Sequence, residues 1–116
     1  MTLVLGVGLR TGTAYDELAA LVATVLDGSE DVAVVATVDR KADDPVVKRL
    51  ARELGAELRS YPAEVLATQA VPAPSEAVAA ATGTGSVAEA AVLATGATLI
   101  TGKRTSARAS AALGRF

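Results

Sequence analysis

Short apolar runs alternate with amphipathic stretches along this chain, and that alternation sets the expected architecture. Residues 2–7 are apolar and β-branched and close on Gly6-Val7-Gly8, which predicts a buried strand. A polar turn follows, with Thr13 as the expected N-cap and Asp16 as an acidic capping-box partner. Leu18, Leu21, Val22 and Val25 recur at helical spacing and predict the buried stripe of a first helix. Residues 32–38 form a second Val- and Ala-rich strand that runs into Asp39-Arg40-Lys41-Ala42-Asp43-Asp44. Asp44 with Pro45 reads as N-cap and first helical position, Val47, Leu50, Ala51 and Leu54 as the packed face, and Gly55 as the stop. A shorter strand is expected over 57–61 and a short helix over 62–66.

The remaining third is richer in Ala, Pro and Gly. Residues 71–74 read as a rigid connector, since each Pro fixes its own backbone and restricts its predecessor. Ser75 is expected to start a helix that ends near 82–83, and Ser86 to cap a further helix with Glu89 in the capping box. Ala90, Ala91, Leu93 and Ala94 pack that helix and Gly96 stops it. A strand is expected over 98–101, a polar turn over 102–106, and a final antiparallel strand over 107–113. Strand, helix, strand, helix, strand favours a parallel sheet with right-handed crossovers. The expected fold is therefore α/β: one domain over residues 1–116, a three-layer sandwich with a small mostly parallel sheet, helices on both faces and an antiparallel C-terminal strand.

Composition narrows the chemistry. Hydrophobic residues make up 51% of the chain but aromatics only 3%, so the core must rest on Val, Leu, Ile and Ala. The net charge is −2 and the pI about 5.0, which argues against a nucleic-acid partner. Cysteine and histidine are both absent, which excludes disulfides, thiol nucleophiles, thiolate zinc sites and Ser-His-Asp triads. Any general base must be Asp, Glu, Lys or Tyr, and no metal or cofactor is expected. No leader or membrane span is legible, so the expected compartment is the cytoplasm.

Two glycine patterns invite nucleotide readings. Gly6-x-Gly8 follows a strand, but the dinucleotide fingerprint needs a glycine at position 11, where Thr11 stands. Close helix–strand packing explains both glycines without a ligand. Gly102-Lys103-Arg104-Thr105 departs from a phosphate loop at Ala97 and Arg104, and that reading is rejected.

Geometry supplies a better candidate, because ligands of parallel sheets gather outside the carboxyl ends of the strands. Three expected strands end there in polar turns. The first carries Arg10, Thr11, Gly12 and Thr13; the second carries Asp39, Lys41 and Asp43; the last carries Lys103, Arg104 and Ser106. Four cations beside a helix N-terminus suit an anion with several carboxylates. That these side chains only keep the surface wet fits the pattern equally.

The same segments resemble a known family. Gly6-Val7-Gly8-Leu9-Arg10-Thr11-Gly12-Thr13 is similar to the G-x-G-x-R-x-G-T opening of the CobE/CbiG C-terminal family. Asp39-Arg40-Lys41-Ala42-Asp43-Asp44-Pro45 resembles its D-x-K-A-D-E-P segment, and Val71-Pro72-Ala73-Pro74-Ser75 its V-P-N-P-S stretch, with Ala73 in place of Asn. Ser86-Val87-Ala88-Glu89-Ala90-Ala91 is similar to its S-V-x-E-A-A helix start. The resemblance implies a part in building the corrin ring of cobalamin, in the form of the stand-alone CobE. An accessory protein would bind a polycarboxylate tetrapyrrole, a precorrin intermediate, and deliver it to another cobalamin-biosynthesis enzyme. The two-domain family member hydrolyses the ring-contraction lactone of cobalt-precorrin-5A and releases acetaldehyde. The alternative expectation is accordingly a hydrolase, with Asp39 or Asp43 as general base, Lys41 or Lys103 facing the developing oxyanion, and Thr13 and Ser106 orienting the substrate. A third reading is a structural subunit that packs through an Ala-rich surface on residues 77–94.

Overall fold

The computed structural model describes residues 2–26, 28, 32–69 and 84–116. Its elements are β1 (Leu3–Leu9), α1 (Tyr15–Leu26), β2 (Val32–Val38), a single 3-10 turn (Asp39–Lys41), α2 (Pro45–Leu54), β3 (Glu57–Tyr61), α3 (Ala63–Ala67), α4 (Thr84–Ala94), β4 (Thr98–Thr105) and β5 (Ala109–Arg115).

β1 is buried at every position, which requires cover on both faces. Leu3, Leu5, Val7 and Leu9 pack with Leu18, Leu21, Val22 and Val25 of α1 and with Val47, Leu50 and Ala51 of α2. Val4 looks the other way, into a second cluster with Val34, Ala36, Val38, Leu66 and the alanines of α4. The sheet thus lies between two helical layers, with α1 and α2 on one face and α3 and α4 on the other. Aliphatic side chains build both clusters, while Phe116 is exposed and Tyr15 and Tyr61 are only partly buried. Without aromatic anchors, stability rests on many contacts, each fully buried Val or Leu contributing roughly 1.5–3 kcal/mol.

The strands lie in the order β3-β2-β1-β5-β4. β1, β2 and β3 pair in parallel, whereas β5 runs antiparallel to both β1 and β4. β4 therefore points the same way as β1, β2 and β3, and the carboxyl ends of all four share one rim. The β4–β5 turn lies on it too, since Leu9 pairs with Ala109. The α/β class, the mostly parallel core and the antiparallel last strand are as expected.

α4 lies against the sheet at two glycines. A Cβ on Gly6 would stand 2.0 Å from the carbonyl oxygen of Ala88, and one on Gly114 would stand 2.3 Å from Val92 Cγ1. Close packing is therefore what Gly6 provides.

Three local expectations are corrected. β4 runs on to Thr105, so 102–105 are strand and the turn spans 106–108. As an edge strand exposed along much of its length, β4 carries the polar composition of a turn. α4 begins at Thr84, so Ser86 lies inside the helix, and Glu89 turns its carboxylate to the backbone N–H of Lys103 at 3.1 Å instead of closing a capping box. Thr13 precedes α1 by two residues and its hydroxyl donates to the Arg10 carbonyl at 2.7 Å, not to the helix. The connector over 71–74 and the helix expected from Ser75 lie outside the described residues.

Candidate functional site at the carboxyl rim

The rim is built from three turns that hold one another. After β1 the chain reverses through a turn closed by Thr13 N–H donating to Arg10 O at 3.2 Å. Gly12 takes a φ of +86° there, a conformation that glycine adopts without strain. Arg10 N–H donates to the Arg108 carbonyl at 2.9 Å, joining this turn to the one between β4 and β5. The Thr13 hydroxyl lies 3.4 Å from the same carbonyl and is buried between them.

The β4–β5 turn is fastened from below by α1. Glu17, in the first turn of that helix, accepts from the Ser106 hydroxyl and, at 2.8 Å, from Arg108 N–H. The Ser106 hydroxyl oxygen also accepts from Ala109 N–H at 3.1 Å. The Ser106 hydrogen bond, then the Arg108 backbone hydrogen bond, hold the Glu17 carboxyl below its ordinary value, against a smaller opposing effect of burial.

The turn after β2 is the 3-10 segment, and it places its two basic residues differently. Arg40 is exposed, whereas Lys41 is nine-tenths buried, with its Nζ donating to Thr11 Oγ1 at 2.9 Å. That contact joins the second turn to the first. Asp44 caps α2 as expected, accepting from Val46 N–H at 2.9 Å. Asp43 is free of that task; its side chain is 97% exposed and pairs with Lys48 at 3.5 Å. Asp39 is exposed at the head of the 3-10 turn.

Between these turns and α4 lies a shallow cleft of about 220 Å³, lined by Gly8, Leu9, Val38, Arg40, Lys41 and Val87. Because α4 precedes β4 and runs against it, the N-terminal turn of α4 faces this rim, with its positive dipole end. Lys41 lines the cleft, Thr11 accepts from Lys41, and Arg10 follows the lining residue Leu9 in the chain. Lys103 and Arg104 stand two strand spacings from β1, roughly 10 Å across the sheet. Arg104 reaches to the face of α1, where its guanidinium donates to the Thr24 carbonyl in the last helical turn at 2.9 Å. A cation at a helix C-terminus is favoured there by the dipole. Among the described residues no cluster of three acidic side chains is arranged to hold a metal ion. No helix among them is long and apolar enough to cross a membrane.

Arg40, Val38 and Val87 were not singled out from the sequence. Arg40 belongs to the 39–45 segment that resembles the family, but apolar Val38 and Val87 carry no chemical signal and become visible only when α4 is seen over the ends of β1 and β2. Glu17 looked like an ordinary acidic residue of a first helical turn.

These features define a small α/β protein whose parallel strands end at a rim carrying an open cleft with two cations in its wall. A family model described as "Cobalamin synthesis G C-terminus" matches residues 3–114, and the chain belongs to that cobalamin-biosynthesis family. The crystal structure of CobE, a protein from the cobalamin (vitamin B12) biosynthetic pathway, is similar at 32% identity and a TM-score of 0.83, over 99% of this chain and 90% of that one. Cobalamin biosynthesis protein chiG from Agrobacterium tumefaciens is 28% identical with a TM-score of 0.61, over 97% of both chains. A putative cobalamin biosynthesis protein G homolog from Sulfolobus solfataricus shares the fold at a TM-score of 0.77 and 20% identity, with this chain spanning 37% of its length. No curated protein sequence matches this one.

Proposed function

We propose that this chain acts as one domain in corrin-ring synthesis, binding a polycarboxylate precorrin intermediate in an accessory role and passing it to another enzyme of the pathway in the cytoplasm. The observation that carries this reading is the cleft at the carboxyl ends of β1 and β2, with Arg40 and Lys41 in its wall and Arg10 and Thr11 beside it. Membership of the cobalamin-biosynthesis family supports the ligand class. The acetate and propionate arms of a precorrin are anions, which suit a cationic rim and the N-terminal turn of a helix.

Titration with the ordered precorrin intermediates, followed by absorbance, tests it. Saturable binding is expected with one of them. Arg40→Ala and Lys41→Ala should each weaken it about tenfold, the loss of one charged hydrogen bond. Lys103→Ala and Arg104→Ala, on the far side of β5, should weaken it less. Unchanged affinity in Arg10→Ala, Arg40→Ala and Lys41→Ala overturns the reading.

A hydrolytic role has one supporting observation, the exposed carboxylate of Asp39 next to Arg40 of the cleft. Asp43, directed to solvent beside Lys48, is the weaker candidate base. Acetaldehyde released from the cobalt-precorrin-5A lactone by the purified chain, and lost in Asp39→Asn, would select hydrolysis over the accessory role.

A further inference from the structure

The cleft is too small for the whole of the proposed ligand, and the mismatch points to how the ligand is held. Its volume of about 220 Å³ includes space open to solvent. The part of it that a water can occupy holds about one molecule. Pockets that enclose a drug-sized molecule run from about 300 to 1,000 Å³, and a tetrapyrrole is larger than such a molecule. The carboxylate tip of one side arm can rest against its wall; the macrocycle cannot enter.

Lys41 supplies the second observation. It is nine-tenths buried in the wall of this cleft, where a lysine is ordinarily paired with a carboxylate. Among the described residues its hydrogen-bond partner is a neutral hydroxyl, Thr11 Oγ1 at 2.9 Å, and no carboxylate lies within 4.0 Å of its Nζ. One ammonium N–H is engaged by Thr11, which leaves two to donate. Thr11 accepts that bond through its oxygen, so its own O–H is left to donate as well. Arg40, adjacent in the chain and in the same wall, adds a planar fork that matches a carboxylate.

We propose that Lys41, Thr11 and Arg40 grip a single carboxylate arm of the ligand, while the ring itself lies outside the cleft over the rim and stays accessible to a second protein. The proposal rests on the tetrapyrrole-binding reading above and specifies its geometry. An accessory role follows physically from such a grip, because a ring held by one arm presents its reactive positions outward.

The test uses the whole chain and uroporphyrin, a fluorescent polycarboxylate tetrapyrrole, as the probe. Propionate at millimolar concentration is expected to displace the probe from the native protein, and inorganic phosphate at matched ionic strength is not. Lys41→Met and Thr11→Val should bind the probe at least about fivefold more weakly and lose the response to propionate. Their folding is checked by circular dichroism, with Arg52→Ala, exposed on α2, as a cationic control that keeps both properties. Probe binding that is indifferent to propionate, or unchanged in Lys41→Met, overturns the one-arm grip and leaves tetrapyrrole binding standing. Equal displacement by phosphate overturns the assignment to a carboxylate. If no porphyrin binds, the functional reading falls, and the grip is decided by acylation of lysines mapped by mass spectrometry. Protection of Lys41 by propionate, with exposed Lys48 as the internal reference, sustains the grip, and equal rates at the two lysines with and without propionate overturn it.

Discussion

Glu17 reaches from the first turn of α1 across to the turn between β4 and β5, where it gathers the Ser106 hydroxyl and Arg108 N–H. Those hydrogen bonds favour its ionised form and hold its carboxyl below the ordinary 4.5. The sign of the linkage follows from that direction. A carboxyl depressed in the folded state contributes stability that is fully present above its unfolded value, and that contribution is lost as pH falls through the folded value. Native protein should therefore lose stability more steeply on acidification below about pH 4.5 than Glu17→Gln, which has no carboxyl to protonate. At neutral pH that contribution is complete, and native protein is the more stable of the two. Urea midpoints measured across the acid range decide it, and parallel curves for the two proteins would remove Glu17 as the fastening of this turn. The same scale shows where single residues were legible. Asp44 before Pro45 announced its cap, because cap and first helical position are adjacent in the chain. Thr13 misled for a related reason: Ser and Thr near a helix start are ordinarily caps, but this hydroxyl answers to carbonyls of Arg10 and Arg108, the second of which lies 95 residues away.

α4 covers β1, β5 and β4, and it does so at a separation only glycine permits. At Gly6 the obstacle to a Cβ is backbone, the carbonyl of Ala88, so a methyl group cannot be accommodated by a side-chain rotation. Gly6→Ala should therefore lower the unfolding free energy by about 1–3 kcal/mol or more, the range for overpacked cores. The measurement is chemical denaturation, and a loss under about 0.5 kcal/mol, the scale of an ordinary surface substitution, would show that α4 shifts freely. Loss of rim affinity in the same variant is expected, since Val87 of α4 lines the cleft. Apolar period made β1, α1, β2 and α2 legible as elements, and Gly6, inside β1, correctly signalled close packing. β4 is longer than its apolar pattern implies, because its C-terminal half, Gly102-Lys103-Arg104-Thr105, reads as a turn in isolation. Its pairing with β5 carries two irregularities, between Leu99 and Thr101 and between Thr101 and Arg104, so even its alternation is broken. Nothing local in the sequence distinguishes such an edge from a loop.

Across the whole molecule, strand direction does what no single motif does: it brings the turns after β1, β2 and β4 to one rim. The α/β alternation made that rim foreseeable, but strand order was not legible, and it separates the cations. Thr11 and Lys41 meet because β1 and β2 are neighbours, while β5 inserts between β1 and β4 and sets Lys103 and Arg104 apart. Within the assembled rim, Lys41 is the place where folding and binding pull against each other. A lysine nine-tenths buried, whose ammonium has a neutral hydroxyl as its partner, costs the folded state, and a bound carboxylate is what offsets it. Methionine fills a similar length without the charge, and the exposed Thr11 hydroxyl can turn to water when the lysine is gone. Lys41→Met should therefore be more stable than the native protein without ligand, by about 1 kcal/mol, or roughly 4 °C in Tm for a domain of this size. The same variant should gain nothing in Tm from added porphyrin, whereas the native protein gains in proportion to occupancy. A Tm that falls on replacement would make the Lys41–Thr11 contact a structural tie between two turns, and the cleft would lose its reason for keeping a buried charge.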